Sequence, residues 1–109
     1  MQRQDYLNYH KSKCEQMVET TIRKNHDYAG AGGEDPFHNF RQVERMGICS
    51  TETGFLTRMT DKISRIQSFV EQGVLQVKDE SIEDTLIDLA NYSILMAGYI
   101  KSKKEDNND

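Results

Sequence analysis

The sequence predicts an all-α protein, a small bundle of about four helices completed by oligomerisation. Three observations carry that expectation. One proline and seven glycines in 109 residues, three of the glycines crowded between Gly30 and Gly33, leave long segments uninterrupted. Apolar residues recur along those segments at the 3.6-residue period of a helix. Boundary residues stand where the periodic runs begin and end: Ser50, Gly73 and Ser81.

The length suits one domain, placed at residues 1–100, with residues 101–109 (KSKKEDNND) as a polar, flexible tail. A formal net charge of −4 argues against a nucleic-acid backbone as the main partner. Cys14 and Cys49 share no metal-ligand spacing and read as thiols in a reducing cytosol. No apolar run approaches the roughly 18 to 20 residues of a membrane span, and MQRQDY is not a signal peptide. The expectation is a soluble, cytoplasmic protein without a membrane partner.

In chain order, Tyr6 to Asn25 is helical, with Tyr6, Leu7, Tyr9, His10, Cys14, Met17, Val18, Thr21 and Ile22 on one side. Glu15 and Glu19 stand one turn apart beside that face. They are either a solvated acidic edge or half of a carboxylate cluster completed by Asp84 and Asp88. Lys24 to Phe40 holds the glycine cluster, the proline, two histidines and three aromatics. A plain linker does not need Lys24, Asn25, His26, Asp27 and Tyr28 in succession. The segment therefore reads as a ligand-facing loop, with Asn39 included and Tyr28 or Phe37 available to stack on a ring. The competing reading is a capped helix end with a polar loop. His26 and His38 lack metal-ligand spacing.

Asp35 and Pro36 open a short helix, Phe37 to Met46, which Gly47 ends. A further helix runs from Ser50–Thr53 to about Gln72, with an apolar stripe of Leu56, Met59, Ile63, Ile66 and Val70. Beside that stripe lie Arg58, Lys62 and Arg65, with Asp61 one turn before Arg65. Ser81-Ile-Glu-Asp84 has the form of a capping box and starts the last helix. From Leu86 onward that helix is apolar almost all round, which predicts burial on most sides. Asp84, Asp88 and Asn91 cut one polar stripe into it. Burying them requires a metal ion, basic side chains from a neighbouring helix, or a polar ligand.

Carboxylates converging in a bundle suit Mg²⁺ or Mn²⁺, which prefer oxygen ligands and bridge to phosphate oxygens. The candidate metal ligands are Glu15, Glu19, Asp84 and Asp88, and the candidate catalytic carboxylates Asp84, Asp88 and Asp61. Lys24, Arg58, Lys62 and Arg65 would offset substrate charge, while Asn91 and Tyr92, with Tyr28, would contact the nucleotide.

KNHDYAG (Lys24–Gly30), FxxRMTDKISRI (Phe55–Ile66) and DESIEDTLIDLANYSIL (Asp79–Leu95) together resemble the nucleotide modification associated domain, a small family of phages and bacteria. The resemblance runs from about Tyr6 to Ile100. It implies a role in nucleotide metabolism or nucleotide-derived signals, in a bacterial or phage-infected cell. The chain is also distantly similar to the all-α NTP pyrophosphatases of the MazG and dimeric dUTPase types. Those enzymes set an EExxE helix against a later acidic helix with Mg²⁺ between them. Asp84 and Asp88 match the later helix, whereas Glu15 and Glu19 supply two carboxylates without an EExxE. The leading expectation is a metal-dependent nucleoside polyphosphate pyrophosphohydrolase acting as a homo-oligomer. The alternatives are a non-catalytic binder that sequesters a nucleotide for a phage, and a structural protein whose charged stripes are interhelical salt bridges.

Overall fold

The computed structural model describes residues 1–28, 33–74 and 80–107, residue 28 by its backbone alone. The all-α expectation holds: four helices follow in order, and no strand occurs among the described residues. They are α1 (Arg3–Tyr28), α2 (His38–Arg45), α3 (Thr51–Gln72) and α4 (Ile82–Asn107). No helix among the described residues is long and apolar enough to cross a membrane. The chain divides into two compact units, Met1–Asn39 and Phe40–Asp109, with the boundary inside α2.

The first unit is built on α1, which is longer at both ends than the periodic run suggests. Its apolar residues Tyr6, Leu7, Tyr9, Val18 and Ile22 are exposed. Past α1, the Asp35 carboxylate accepts a bond from the Phe37 amide at 3.0 Å and so shapes the turn that opens α2. The Asn39 side-chain amide donates to the Asp27 carbonyl at 2.8 Å. Of the glycine cluster, Gly30 and Gly32 lie outside the described residues.

The second unit is an α3–α4 hairpin with the end of α2 packed on it. Its helix boundaries follow the sequence closely because each has a local chemical cause. The Ser50 hydroxyl accepts from the Thr53 amide at 3.1 Å and caps α3. Gly73, in the left-handed conformation at φ 76°, ends it by donating its amide to the Phe69 carbonyl at 2.7 Å. At α4 the Ser81 hydroxyl accepts from the Asp84 amide at 3.0 Å, and the Asp84 carboxylate accepts from the Ser81 amide at 3.2 Å. This reciprocal pair is the capping box, with aspartate in the place more often held by glutamate. Residues 101–107, read as a tail, continue α4.

Aromatic rings fill the open end of the hairpin, where α2 meets α3 and α4. Phe40 stacks on Phe55 with centroids 4.5 Å apart and meets Tyr92 edge-on at 6.4 Å, while Phe55 lies against Tyr99 at 5.8 Å. Gly54 lets α2 approach, since a Cβ there would come within 2.8 Å of a Val43 methyl.

The burial of α4 differs from the expectation. Its fully buried residues are Thr85 and Tyr99, and these share a stripe with Asp88 and Tyr92 at spacings of three, four and seven residues. That partly polar stripe faces α3. Leu86, Ile94 and Ile100, on the more apolar side, are 46, 63 and 40% exposed. On α3 the same inversion exposes Leu56, Ile63 and Val70, seven residues apart, while Phe55 and Lys62 turn inward. Charge pairing and aromatic packing thus set the hairpin's rotation, and two apolar stripes are left outward.

Candidate functional site

The site is assembled where the basic stripe of α3 meets the start of α4. Lys62 Nζ lies 3.1 Å from Asp88 Oδ2 and 3.6 Å from Glu80 Oε1. Arg65 donates to Glu80 Oε2 at 2.6 Å and pairs with Asp61 at 3.2 Å, one turn back on α3. The Thr85 hydroxyl, fully buried, donates to Glu80 Oε1 at 3.0 Å. The Lys62 and Glu80 side chains are only 13 and 16% exposed, so their pairing is shielded from the solvent that weakens surface pairs, whereas the Arg65–Asp61 pair is open to it. Burial alone would raise the Glu80 pKa. The Thr85 hydroxyl, the Lys62 ammonium and the Arg65 guanidinium outweigh it and hold the carboxyl below its ordinary value.

Of the predicted residues, Asp61, Lys62, Arg65 and Asp88 come together here. Asp84, one turn before Asp88 on α4, has its carboxylate engaged at the Ser81 amide. Arg58 stands one turn from Lys62 toward the α3 N-terminus, its guanidinium 4.3 Å from the centre of the Phe40 ring. Tyr92 takes part in the aromatic cluster, and Asn91 beside it is half-buried. Glu15, Glu19, Lys24, Asn25, His26, Asp27 and Asn39 all belong to the first unit. Glu15, Glu19, Lys24, His26, Asp27 and Asn39 are exposed there and Asn25 is half-buried. The side chain of Tyr28 lies outside the described residues.

Sequence reasoning missed Glu80 as a site residue. A signal was available: Glu80, Asp84 and Asp88 are spaced four apart, so the acidic stripe starts one turn earlier than it was drawn. A second polar group was also missed. Glu52 pairs with Lys103 at 3.4 Å, and Arg41 and Lys103 flank the buried Tyr99 ring at 5.1 and 5.9 Å. Burial raises the Glu52 pKa, but hydrogen bonds from Tyr99 and Lys103 bring it below the ordinary value. Lys103 escaped notice because its segment reads as solvated tail.

Asp84 and Asp88 carry oxygen donors of the kind Mg²⁺ takes, and here those carboxylates are engaged by the Ser81 amide and the Lys62 ammonium. Among the described residues no three histidine, cysteine, aspartate or glutamate side chains gather into an all-protein metal cage.

Fold and site together define a small all-α protein with a shielded ion-pair cluster between its last two helices. The sequence profile of the family described as Nucleotide modification associated domain 1 matches residues 24–98, and the chain belongs to that family. The match takes in the last residues of α1, where Lys24–Tyr28 are helical and not the expected loop, together with α2, α3 and most of α4, and so the whole cluster. No curated protein and no solved structure matches the chain.

Proposed function

We propose that this chain handles nucleotides. Lys62 and Arg65, with Arg58 beside them, receive the phosphates of a nucleoside polyphosphate, and Asp84 and Asp88 hold the Mg²⁺ or Mn²⁺ that supports hydrolysis of a phosphoanhydride. The observation that carries this reading is the shielded pairing of Lys62 and Arg65 with Asp88 and Glu80 across α3 and α4. Cations set in a partly water-excluded place are worth more to a phosphate than the same groups at the surface. Lys62 supplies a point charge and Arg65 a planar fork suited to phosphate oxygens. A bound divalent cation would polarise the phosphoanhydride and lower the pKa of an attacking water. The family's description, which associates it with nucleotide modification, points the same way.

A second reading, a binder that sequesters its nucleotide without turnover, is favoured by one observation. Both aspartates are already engaged, Asp84 in its capping box and Asp88 with Lys62. Incubation with canonical, modified and cyclic nucleotides, with and without Mg²⁺ or Mn²⁺, separates the readings. A metal-dependent product that Asp88→Asn abolishes while the fold survives supports hydrolysis. Intact nucleotide released only on denaturation supports sequestration. Neither outcome leaves the charged stripes as structural salt bridges.

The working form is proposed to be a homo-oligomer in a bacterial or phage-infected cytoplasm. Its support is the exposure of Leu56, Ile63, Val70, Leu86, Ile94 and Ile100 on a unit whose core is small.

A further inference from the structure

We propose that Glu80 is a built-in occupant of the phosphate site, holding Lys62 and Arg65 where a ligand's terminal phosphates would, so that binding requires its displacement by an oligophosphate. This deepens the nucleotide reading and rests on it.

The charges come first. Two cations, Lys62 and Arg65, face three carboxylates, those of Asp61, Glu80 and Asp88. With Glu80 in place these five groups are one charge negative, which Arg58 one turn along α3 offsets only from a distance. With Glu80 withdrawn the cations and carboxylates balance. The position of Glu80 also matters. Asp61 and Asp88 are fixed within helices, whereas Glu80 precedes Ser81 and stands outside α4. The capping box is closed by Ser81 and Asp84 without it, so α4 keeps its start when the Glu80 side chain leaves.

The contacts are those of a surrogate ligand. One carboxylate oxygen meets Arg65 at 2.6 Å, while the other is shared between the Thr85 hydroxyl at 3.0 Å and Lys62 at 3.6 Å. Lys62 is thus only loosely held by Glu80, and its closer partner is Asp88. A terminal phosphate carries close to two charges and three acceptor oxygens, against one charge and two oxygens for a carboxylate. It can meet Lys62 and Arg65 at full hydrogen-bond distance together. A triphosphate brings further charge and oxygens beyond its terminal group, within reach of Arg58 as well as Lys62 and Arg65, so the internal glutamate sets a threshold that favours it over a monophosphate. Because the closed arrangement lowers the competent fraction, the apparent affinity is reduced by that fraction.

The test is titration of inorganic tripolyphosphate, ATP and AMP into the full chain, with Mg²⁺ and with chelator. Wild type, Glu80→Gln and Thr85→Val are compared. Glu80→Gln keeps an oxygen for Thr85 and removes the competing charge. Thr85→Val leaves the charge and removes the anchor, and it decides the matter if Glu80→Gln does not fold. The expected result is tighter binding of tripolyphosphate and ATP by both variants, by about threefold to tenfold, with AMP gaining measurable binding in Glu80→Gln. Binding by the variants where wild type shows none supports the proposal equally. Wild-type binding that the variants leave unchanged or weaken overturns the latch and leaves the nucleotide reading standing. Absence of binding in every protein overturns both.

Discussion

Lys62 of α3 and Asp88 of α4 form a 3.1 Å ion pair at the heart of the hairpin, and Glu80 and Arg65 extend it into a network. Removing Lys62 strips two carboxylates of a cation in a shielded place. Lys62→Met is expected to destabilise the second unit by about 1–3 kcal/mol, measured by urea unfolding. The double variant Lys62→Met/Asp88→Leu should recover part of that loss, since neither charge is then left alone.

Acid should unfold the protein through Glu80 and Glu52. Both carboxyls lie below their ordinary value of 4.5 in the folded chain. Their contribution is therefore fully present above 4.5 and is lost as pH falls through the lower folded values. Melting temperature should fall on acidification below that point, and Glu80→Gln should show a shallower fall than wild type.

Phe40 joins α2 to α3 and α4 and carries the Arg58 guanidinium on its face. Its 2% exposure places Phe40→Ala among large core truncations, at about 3–5 kcal/mol. Thermal unfolding checks the magnitude. Phe40→Leu should keep most of the stability while releasing Arg58, visible as weaker nucleotide binding with a near-native melt.

The outward stripes predict self-association. Sedimentation of the purified chain should give a species heavier than the monomer, and Ile63→Lys, at a half-exposed position on α3, should shift it toward monomer. A monomeric wild type at micromolar concentration would remove the second copy from the account.

Much of the fold was legible because local chemistry fixed it. Ser50, Gly73 and the Ser81–Asp84 box set helix ends within one residue, each by a backbone bond that depends on that side chain. The opposite charges on α3 and α4 likewise anticipated the ion pairs. The rotation of the hairpin was not legible. Hydrophobicity alone turns Leu86 and Ile63 inward, but burying Asp88 against Lys62 and stacking Phe55 on Phe40 turned them outward instead. Helical periodicity states which residues share a face and not which face meets the neighbour. For the same reason Glu15 and Glu19 could be paired with each other on α1, while their pairing with Asp84 and Asp88 had no local signal.

Calorimetric titration of ATP into wild type and Lys62→Gln, with Mg²⁺ present, tests the central claim most directly. The account predicts saturable binding by wild type and a loss of at least about tenfold in the variant, with helical content unchanged. Equal affinity in the two proteins, or no binding by either and none by Glu80→Gln across the nucleotide panel, would contradict it.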